Sequence, residues 1–595
     1  MILSIKKHIS FLITVLFVCI CLCIFISCDN GNHLGNISGD TTQNTDKVLL
    51  ETVDWNCSTT PIDSIEYIRP DFDAFLAKIN ELDSLINSGA EYSEIENKYD
   101  ILDKAYSEIY GSYGILSIRQ YQNVNDEDIV KETEFFSEKM TEIEDKLYSL
   151  LLKMYDSKYR EIADISDEFA EYLRMKNQMI DDEYKELSKK ETELINEYKK
   201  KSTNVKIKVN GKEYSESDIY DLYANGKISY ETYIEYYNQY LKNVNESVAQ
   251  IYIDLVKVYK RYAEKAGCES YAEYCYQYVY DRDFTLEDAE TLSKYVKEYL
   301  VPLYNELLDS FTDYERTAVS YILYNINASI EGYDDEFKDY FSEVSDEMLE
   351  AYVYLFEFEQ YDFSISDNKQ QGAFTTYVDY FDIPFMFLTP SGDVGSVMTF
   401  VHEFGHFYSF YAGGEDSTSN IDICEIHSQA NEWLFLEKLG FSDAVTKAYA
   451  KYLTIEMLDS IINGCLFDEF QRLIYTGNYD TAKEINDLFE SLCIQYEILD
   501  SSSVDMTYFW SLVNHNFESP MYYISYAVSL FPSYDIYYES LNNRDSAVEI
   551  YREIIGISDE YGILDIIEKY EFTNIFTEEG IKSFAQKIKT ANGIK

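Results

Sequence analysis

Two histidines four positions apart, His402 and His406, have the spacing in this sequence that most directly indicates chemistry. They enclose Glu403 in the segment HEFGH, inside an apolar stretch that predicts a helix over residues 394–411. Because four residues advance a helix by about 400°, both imidazole rings point to nearly the same side and can bind one metal ion. Zinc in such a site lowers the pKa of a bound water to about 7, and the neighbouring carboxylate can accept the water's proton. The pattern therefore predicts one Zn2+ ion per chain.

A catalytic zinc site needs a third protein ligand and one open position. The pattern with a third histidine in the same segment requires a glycine at 409 and a histidine at 412, but this chain has Ser409 and Ala412. The next predicted helix carries Glu425, Gln429 and Glu432 at positions i, i+4 and i+7, which share one face. We predict Glu425 as the third ligand and Glu432 as the group that holds the far nitrogen of a ligand histidine.

The remaining histidines are few and unevenly distributed. His427 is two residues from Glu425 and points roughly 200° away, which predicts a structural or substrate-facing role rather than a ligand. His515 opens the segment HNFESPMYYISYA at 515–527. His8 and His33 lie near the N-terminus, so the other four histidines are confined to these segments. This distribution predicts that the His515 segment contributes to the same site.

The composition predicts a mostly helical scaffold around these residues. Only 7 prolines and 23 glycines occur in 595 residues, and hydrophobic residues make up 46%. Long amphipathic helices are predicted up to about residue 201, and the Asn210-Gly211 pair predicts a hairpin. Short aromatic and β-branched stretches at 372–377 and 384–388 predict strands just before the zinc helix. The fold class is therefore mainly α, with a small β-sheet near the zinc helix.

The N-terminus has the features of a bacterial lipoprotein signal. Lys6 and Lys7 precede an apolar run at 9–26, and Ser27 precedes Cys28, the predicted lipid-bearing residue. We predict a signal peptide at 1–27, a flexible tether at 28–47, an N-terminal helical region at 48–205 and a catalytic region at 206–595. The predicted location is extracytoplasmic, anchored to the bacterial cell membrane through the lipid on Cys28. An uncleaved membrane anchor is the alternative.

Charge argues against one class of partner, and cysteine spacing argues against one kind of metal site. The formal net charge of −59 argues against nucleic acid, since phosphates would be repelled. Beyond the signal, the cysteines lack CxxC spacing, which argues against a zinc ribbon and favours buried free thiols. The sequence predicts no oligomeric state.

Several segments together resemble the oligoendopeptidase F group of the thimet oligopeptidase family. They are HEFGH at 402–406, EIHSQANEW around Glu425, HNFESPMYYISYAVS at 515–529, GAFTTY at 372–377, SGDV at 391–394 and RYAEKAGCESYAEY at 261–274. The likeness spans about residues 200–590. It implies a prolate, multi-helical peptidase of the gluzincin type, with zinc at the floor of a deep channel that admits short peptides.

The resemblance also implies roles for individual residues. His515, Tyr523 and Tyr526 match positions that donate hydrogen bonds to the substrate carbonyl and its tetrahedral oxyanion. The segment 372–374, Gly372-Ala373-Phe374, matches an edge strand that pairs with the substrate backbone. His427, Asn516 and Met521 depart from the residues common in the group, which bears on subsite preference.

These observations predict a zinc endopeptidase that acts on oligopeptides, with Glu403 as general base. Two alternatives stay open. A helical zinc carboxypeptidase would share the HExxH segment and a distant glutamate. A surface-anchored peptide-binding lipoprotein that has lost catalysis would share the fold, although the intact HExxH segment at 402–406, Glu425 and His515 argue against it.

Overall fold

The computed structural model describes residues 55–202, 204–366, 368–370, 372–414, 417, 420–498, 504–557 and 561–594. The predicted signal peptide at 1–27, Cys28 and the tether to residue 47 lie outside these ranges. Among the helices that are described, none combines the length and the apolar character needed to cross a membrane.

The first part of the described chain is a set of helices with a core of its own. Along the third helix, Phe136, Met140, Ile143 and Leu147 recur at helical spacing and are all buried. They pack with apolar residues of the neighbouring helices between residues 72 and 173. These helices are Phe72–Ser88 (α1), Tyr92–Gln122 (α2), Glu127–Tyr155 (α3), Arg160–Ala163 (α4) and Asp167–Met179 (α5). The next helix, Asp182–Ser202 (α6), instead buries Leu194 and Tyr198 in the larger core of the chain.

A hairpin follows, as the Asn210-Gly211 pair predicts. Strands Ile207–Val209 (β1) and Lys212–Tyr214 (β2) pair antiparallel. Both turn residues have positive φ, 52° for Asn210 and 82° for Gly211, which asparagine and glycine adopt at the least cost.

The middle of the chain is again helical. Thr285 begins its helix with a capping box, because its side chain accepts from the Asp288 amide while the Asp288 carboxylate accepts from the Thr285 amide. The helices are Glu216–Ala224 (α7), Tyr230–Ala266 (α8), Tyr271–Tyr274 (α9), Leu286–Tyr295 (α10), Val301–Asp309 (α11), Asp313–Asn325 (α12), Asp334–Val344 (α13) and Asp346–Glu357 (α14).

A three-stranded sheet lies just before the helix that carries His402 and His406. Its strands are Tyr361–Asp362 (β3), Ala373–Val378 (β4) and Ile383–Leu388 (β5), in the order β3-β5-β4. β5 is buried throughout and pairs parallel to β3 and antiparallel to β4. β4 is therefore an edge strand among the described residues.

The remaining helices complete the larger core and carry most of the predicted site residues. They are Val394–Gly413 (α15), Ile421–Phe435 (α16), Asp443–Thr476 (α17), Ala482–Gln495 (α18), His515–Glu518 (α19), Ile524–Ser540 (α20), Arg544–Ile555 (α21), Ile563–Lys569 (α22) and Glu578–Ala591 (α23). The predicted class, mainly helical with a small sheet beside the zinc helix, is confirmed. The domain boundaries and the deep channel stay predictions.

Candidate active site

The two histidines of HEFGH project from the middle of α15. This helix begins where the Asp393 side chain accepts a hydrogen bond from the Ser396 amide. Most of α15 is buried, but the side chains of His402 and His406 keep 13% and 16% of their surface exposed. The rings therefore border an accessible space, as a site for a reacting molecule requires.

Glu425 reaches the same point from α16. Asn420 caps this helix by accepting from the Asp422 amide, and Glu425 lies just past the first turn. Its Oε2 lies 3.6 Å from Nε2 of His402 and 3.9 Å from Nε2 of His406. One ligand atom from each of the three residues lies within 4.8 Å of the others.

The close packing of α15 against α16 depends on Gly405. A Cβ atom at this position would lie 2.4 Å from the carbonyl oxygen of His427 and 2.8 Å from the Cα of Ser428. Only hydrogen fits there, so the glycine lets the two helix backbones approach. Asn431 adds a tie between the same helices by donating to the Val401 carbonyl at 2.6 Å. This contact brings Glu425 to the histidine pair.

Glu432 holds the far side of the His402 ring, with Oε1 2.7 Å from Nδ1. Burial lowers the pKa of His402, but the hydrogen bond to Glu432 and the charges of Glu432, Glu425 and Glu403 outweigh it and raise the pKa to about 9. The pKa of the neighbouring His406 shifts in the opposite direction. Burial and the charge on His402 lower the pKa of His406 well below its usual value.

This donor set fits a zinc ion. Two imidazole nitrogens and one carboxylate oxygen are ligands that zinc accepts at catalytic sites, and they converge from two helices. The surrounding carboxylates favour positive charge at His402, and a divalent cation bound there would be stabilised by the same negative charges. His402, His406 and Glu425 would hold the ion, with Glu432 orienting His402.

Glu403 lies on the buried side of the same helix, 2% exposed. Its Oε2 accepts a hydrogen bond from the Thr375 hydroxyl of β4 at 2.8 Å. Burial raises the pKa of Glu403 to about 7, while the charge on His402 and the Thr375 hydrogen bond oppose this rise. A carboxyl group with a pKa near neutrality can both take up and release a proton.

Two further side chains hold Glu425. Tyr522 donates to Oε1 at 3.2 Å, and Ser428 donates to Oε2 at 3.2 Å. Burial raises the pKa of Glu425, and the charge on His402 and these hydrogen bonds oppose it. Tyr522 thus joins the C-terminal motif directly to the predicted ligand.

His515, Tyr523 and Tyr526 form one cluster beside this point. The ring centroids lie 5.3 Å apart for His515–Tyr523, 5.9 Å for His515–Tyr526 and 5.5 Å for Tyr523–Tyr526. The Tyr526 hydroxyl lies 3.5 Å from Nε2 of His515. Burial lowers the pKa of His515 to about 4, so its ring is neutral near neutral pH. Tyr522 packs against Tyr526 with centroids 5.1 Å apart, which connects the cluster to Glu425.

The segment predicted to pair with substrate lies at the start of β4. The Gly372 carbonyl accepts from the Thr389 amide at 3.0 Å, and Phe374 is the register partner of Phe387 in β5. The main-chain groups of Gly372 and Phe374 therefore face β5, and those of Ala373 face the free edge. Of the three predicted residues, Ala373 is the one whose main chain faces that edge.

His427 lies apart from the ligand set, as its angular position indicates. It is buried, and its Nε2 lies 3.2 Å from the Ile554 carbonyl of α21. Burial lowers its pKa to about 4. Its contacts are those of a residue that packs α16 against α21.

The chain was compared with protein-family models, curated proteins and solved structures. The family model of the peptidase M3 N-terminal domain matches residues 62–179. Among curated proteins, sequence comparison finds no match.

Solved structures share the whole fold. One assigned as an oligoendopeptidase F is 20% identical with a TM-score of 0.74 and covers 90% of this chain and 99% of its own. A complex named PZ peptidase A with inhibitor 2 is 19% identical with a TM-score of 0.73 and covers 90% and 99%. A third, assigned as an oligoendopeptidase F from Bacillus anthracis strain Ames, is 19% identical with a TM-score of 0.72 and covers 90% and 98%. Part of the chain thus matches the peptidase M3 N-terminal domain. The fold of the chain is that of the oligoendopeptidase F structures, which confirms the resemblance.

Some contacts at this site were not predicted from the sequence. Thr375 and Tyr522, which hold Glu403 and Glu425, lie in the segments GAFTTY and HNFESPMYYISYA but were assigned no role. Arg282 was missed as well. It is fully buried, and it donates to the Asp422 carboxylate at 3.3 Å and to the Ser525 hydroxyl at 2.8 Å. Strand alternation could have placed Thr375 on the side of the zinc helix, but Arg282 gives no local signal.

Proposed function

We propose that this protein is a zinc-dependent endopeptidase of the M3 peptidase family that hydrolyses internal bonds of short peptides. The observation that carries the proposal is the convergence of His402, His406 and Glu425 beside Glu403. A bound zinc would polarise a peptide carbonyl and lower the pKa of a water. The chain supplies the ligands, a buried carboxyl group and a cluster of hydrogen-bond donors.

The protein's own side chains have distinct roles in this proposal. Glu403 accepts the proton of the attacking water and passes it to the leaving amine. Tyr523 and Tyr526, with the neutral His515, donate hydrogen bonds to the carbonyl oxygen as negative charge develops there. Such a preorganised donor is worth roughly 3 kcal/mol in the transition state.

The direct test is Glu403→Gln. The amide cannot accept the proton, whereas all three predicted zinc ligands remain, so zinc content is expected to stay near one ion per chain while hydrolysis is lost. The measurements are metal analysis and cleavage of an internally quenched peptide. Continued cleavage at the wild-type rate would refute the role of Glu403. If the glutamine variant loses zinc, Glu403→Ala, which also lacks a proton acceptor, gives the same comparison.

A zinc carboxypeptidase is the nearer alternative. The free edge of β4 favours endopeptidase action, because an extended peptide can pair along it on both sides of the cut bond. Mass spectrometry of products from one unmodified peptide separates the two: internal fragments support the proposal, and stepwise loss from the C-terminus supports the alternative. Stoichiometric zinc without turnover of any peptide would instead support a silent peptide-binding protein.

We also propose that the enzyme is an extracytoplasmic lipoprotein of the bacterial cell membrane. The support is the sequence alone: a basic start, the apolar run at 9–26 and Ser27-Cys28. Cys28→Ser is expected to abolish incorporation of labelled fatty acid and to block cleavage of the signal. If the variant is labelled and processed like the wild type, Cys28 is not the lipidated residue.

A further inference from the structure

Thr375 contacts the proposed general base directly. Its hydroxyl lies 2.8 Å from Oε2 of Glu403 and 3.1 Å from the main-chain oxygen of the same residue. Both side chains are almost fully enclosed, with 8% of Thr375 and 2% of Glu403 exposed. Because water has little access to this contact, the carboxylate depends on the protein for its orientation.

The same residue has a second connection through its main chain. Residues of a strand alternate in the direction of their main-chain groups, and those of Gly372 and Phe374 face β5. The amide and carbonyl of Ala373 and Thr375 therefore face the free edge of β4. On the other side of the sheet's middle strand, the Met386 amide donates to the Gln360 carbonyl at 3.0 Å, which fits the same alternation.

We propose that Thr375 is a positioning residue that couples a peptide bound along the edge of β4 to the orientation of the Glu403 carboxylate. The proposal rests on the proposed function, since it assigns Glu403 as the base and β4 as the strand that pairs with substrate. The peptide class is an extended oligopeptide whose main chain bonds to Ala373 and Thr375. Thr375 would thus meet the peptide through its main chain while its hydroxyl holds Glu403, so one residue sets the position of the base relative to the substrate.

The side chains suit this role. Threonine is β-branched, so its hydroxyl has few available directions once the strand is formed. Glutamate has three rotatable bonds, and a fixed donor on Oε2 restricts them while Oε1 stays available to a proton. Loss of the hydroxyl is therefore expected to lower kcat, because the carboxylate is misplaced in the reacting complex, and to leave KM nearly unchanged.

Thr376 offers a matched control on the same strand. Its side chain projects to the opposite face from Thr375. It is buried, and its hydroxyl has no hydrogen-bond partner. Replacement of either threonine by valine removes one hydroxyl and keeps the shape and the β-branch, so the two variants differ only in which face loses the group.

The experiment compares wild type, Thr375→Val, Thr375→Ser and Thr376→Val by zinc content, thermal unfolding and steady-state kinetics on a quenched peptide. Thr375→Val is expected to bind zinc and to lose about tenfold or more in kcat, with KM within about threefold. Thr375→Ser restores the hydroxyl and is expected to restore kcat, and Thr376→Val should match the wild type. If the valine variant at 375 fails to fold, Thr375→Ala takes its place.

Crystal structures of the metal-free proteins give a readout that does not depend on activity. The Glu403 carboxylate is expected in one position in wild type and Thr375→Ser, and displaced or in several positions in Thr375→Val. Wild-type kcat in the zinc-loaded valine variant, failure of serine to restore it, or an unmoved carboxylate would each overturn the proposal. If the wild type cleaves no peptide at all, the proposed function fails, and the crystal structures still decide whether Thr375 positions Glu403.

Discussion

At the scale of single residues, the proposed ligands depend on neighbours that do not touch the ion. His402 has Glu432 at 2.7 Å on its far nitrogen, and Glu425 has Tyr522 and Ser428 on its two oxygens. Each partner restricts the direction of a ligand atom and so lowers the entropy lost when the three ligands converge. The pKa of His406 is well below its usual value, so its ring is neutral and a nitrogen is available to bind a metal ion.

Glu432→Ala tests this orientation. Removal of the carboxylate frees the His402 ring and takes away the charge that favours a cation there, so zinc affinity is expected to fall by about 10- to 100-fold. Competition with a chromogenic chelator measures it. The matched control is Glu437→Ala, which removes an exposed carboxylate one turn later and should leave affinity unchanged. Equal affinities for Glu432→Ala and wild type would show that Glu432 does not support the ligand.

Residue types and spacing were enough to select His402, Glu403, His406 and Glu425 from the sequence, because the helical period places them on defined faces. Thr375 was not selected, since its partner is 28 positions away and a threonine in a strand is ordinarily a packing residue. Contacts of this kind depend on how elements pack, which local patterns do not encode.

At the scale of elements, the site depends on the distance between α15 and α16. Their backbones approach at Gly405, where the nearest atom to an added Cβ is a carbonyl oxygen of the other helix. A backbone atom cannot rotate away as a side chain can, so the whole helix would have to move.

Gly405→Ala is therefore expected to destabilise the protein by about 1–3 kcal/mol and to weaken zinc binding, because Glu425 moves away from the histidines. Thermal unfolding and metal titration measure the two effects. Gly395→Ala, in the first turn of α15, is the control: the nearest atom to its Cβ is a side-chain oxygen of Asp393 at 3.1 Å, and its effect should be smaller. Similar unfolding temperatures for the two variants would contradict the argument.

Several elements were predictable because they are encoded locally. The helix that carries His402 and His406 was expected over 394–411 and spans Val394–Gly413, and the predicted Asn210-Gly211 hairpin is present. The parallel pairing of β3 with β5 was not predicted. Strand β3 has two residues, too few to show any alternation.

At the scale of the whole molecule, the excess of acidic residues includes side chains that are partly buried. Glu456, on α17, is three positions from Asp459. Burial raises the pKa of Glu456 to about 7, and the charge of Asp459 adds to this. Its pKa in the folded state thus lies above the ordinary value of 4.5, and the folded protein retains a proton that the unfolded chain loses. The stabilising contribution is complete below the ordinary value and disappears as the pH rises through about 7.

Glu456→Gln removes this titration. Relative to wild type, the variant is expected to unfold at a higher temperature near pH 8, and the advantage should vanish toward about pH 4.5. Differential scanning calorimetry across this range measures it. The exposed Glu579→Gln is the control and should show a much smaller pH-dependent difference. An advantage of the same size at both ends of the range would contradict the proposed protonation.

The arrangement of the large core was only partly foreseeable. Composition indicated helices, and the structure shows one apolar cluster that joins residues from 57 to 588. The shapes of the side chains and a few buried polar contacts determine which helices meet in this cluster. One example is Arg282, which donates to Asp422 near the start of α16 and to Ser525 near the start of α20. The division at residue 205 stays a prediction.

The two adjacent threonines of β4 carry one further implication, for evolution. Because successive side chains of a strand face opposite sides, a shift of one position would move the Thr375 hydroxyl away from Glu403 and turn the Thr376 side toward it. A single-codon deletion in the connection between β3 and β4 could shift β4 by one residue. Thr376 would then occupy the position beside Glu403 that Thr375 occupies now. The doubled threonine would keep a hydroxyl beside Glu403 after such a deletion, while the other side chains of β4 would exchange faces.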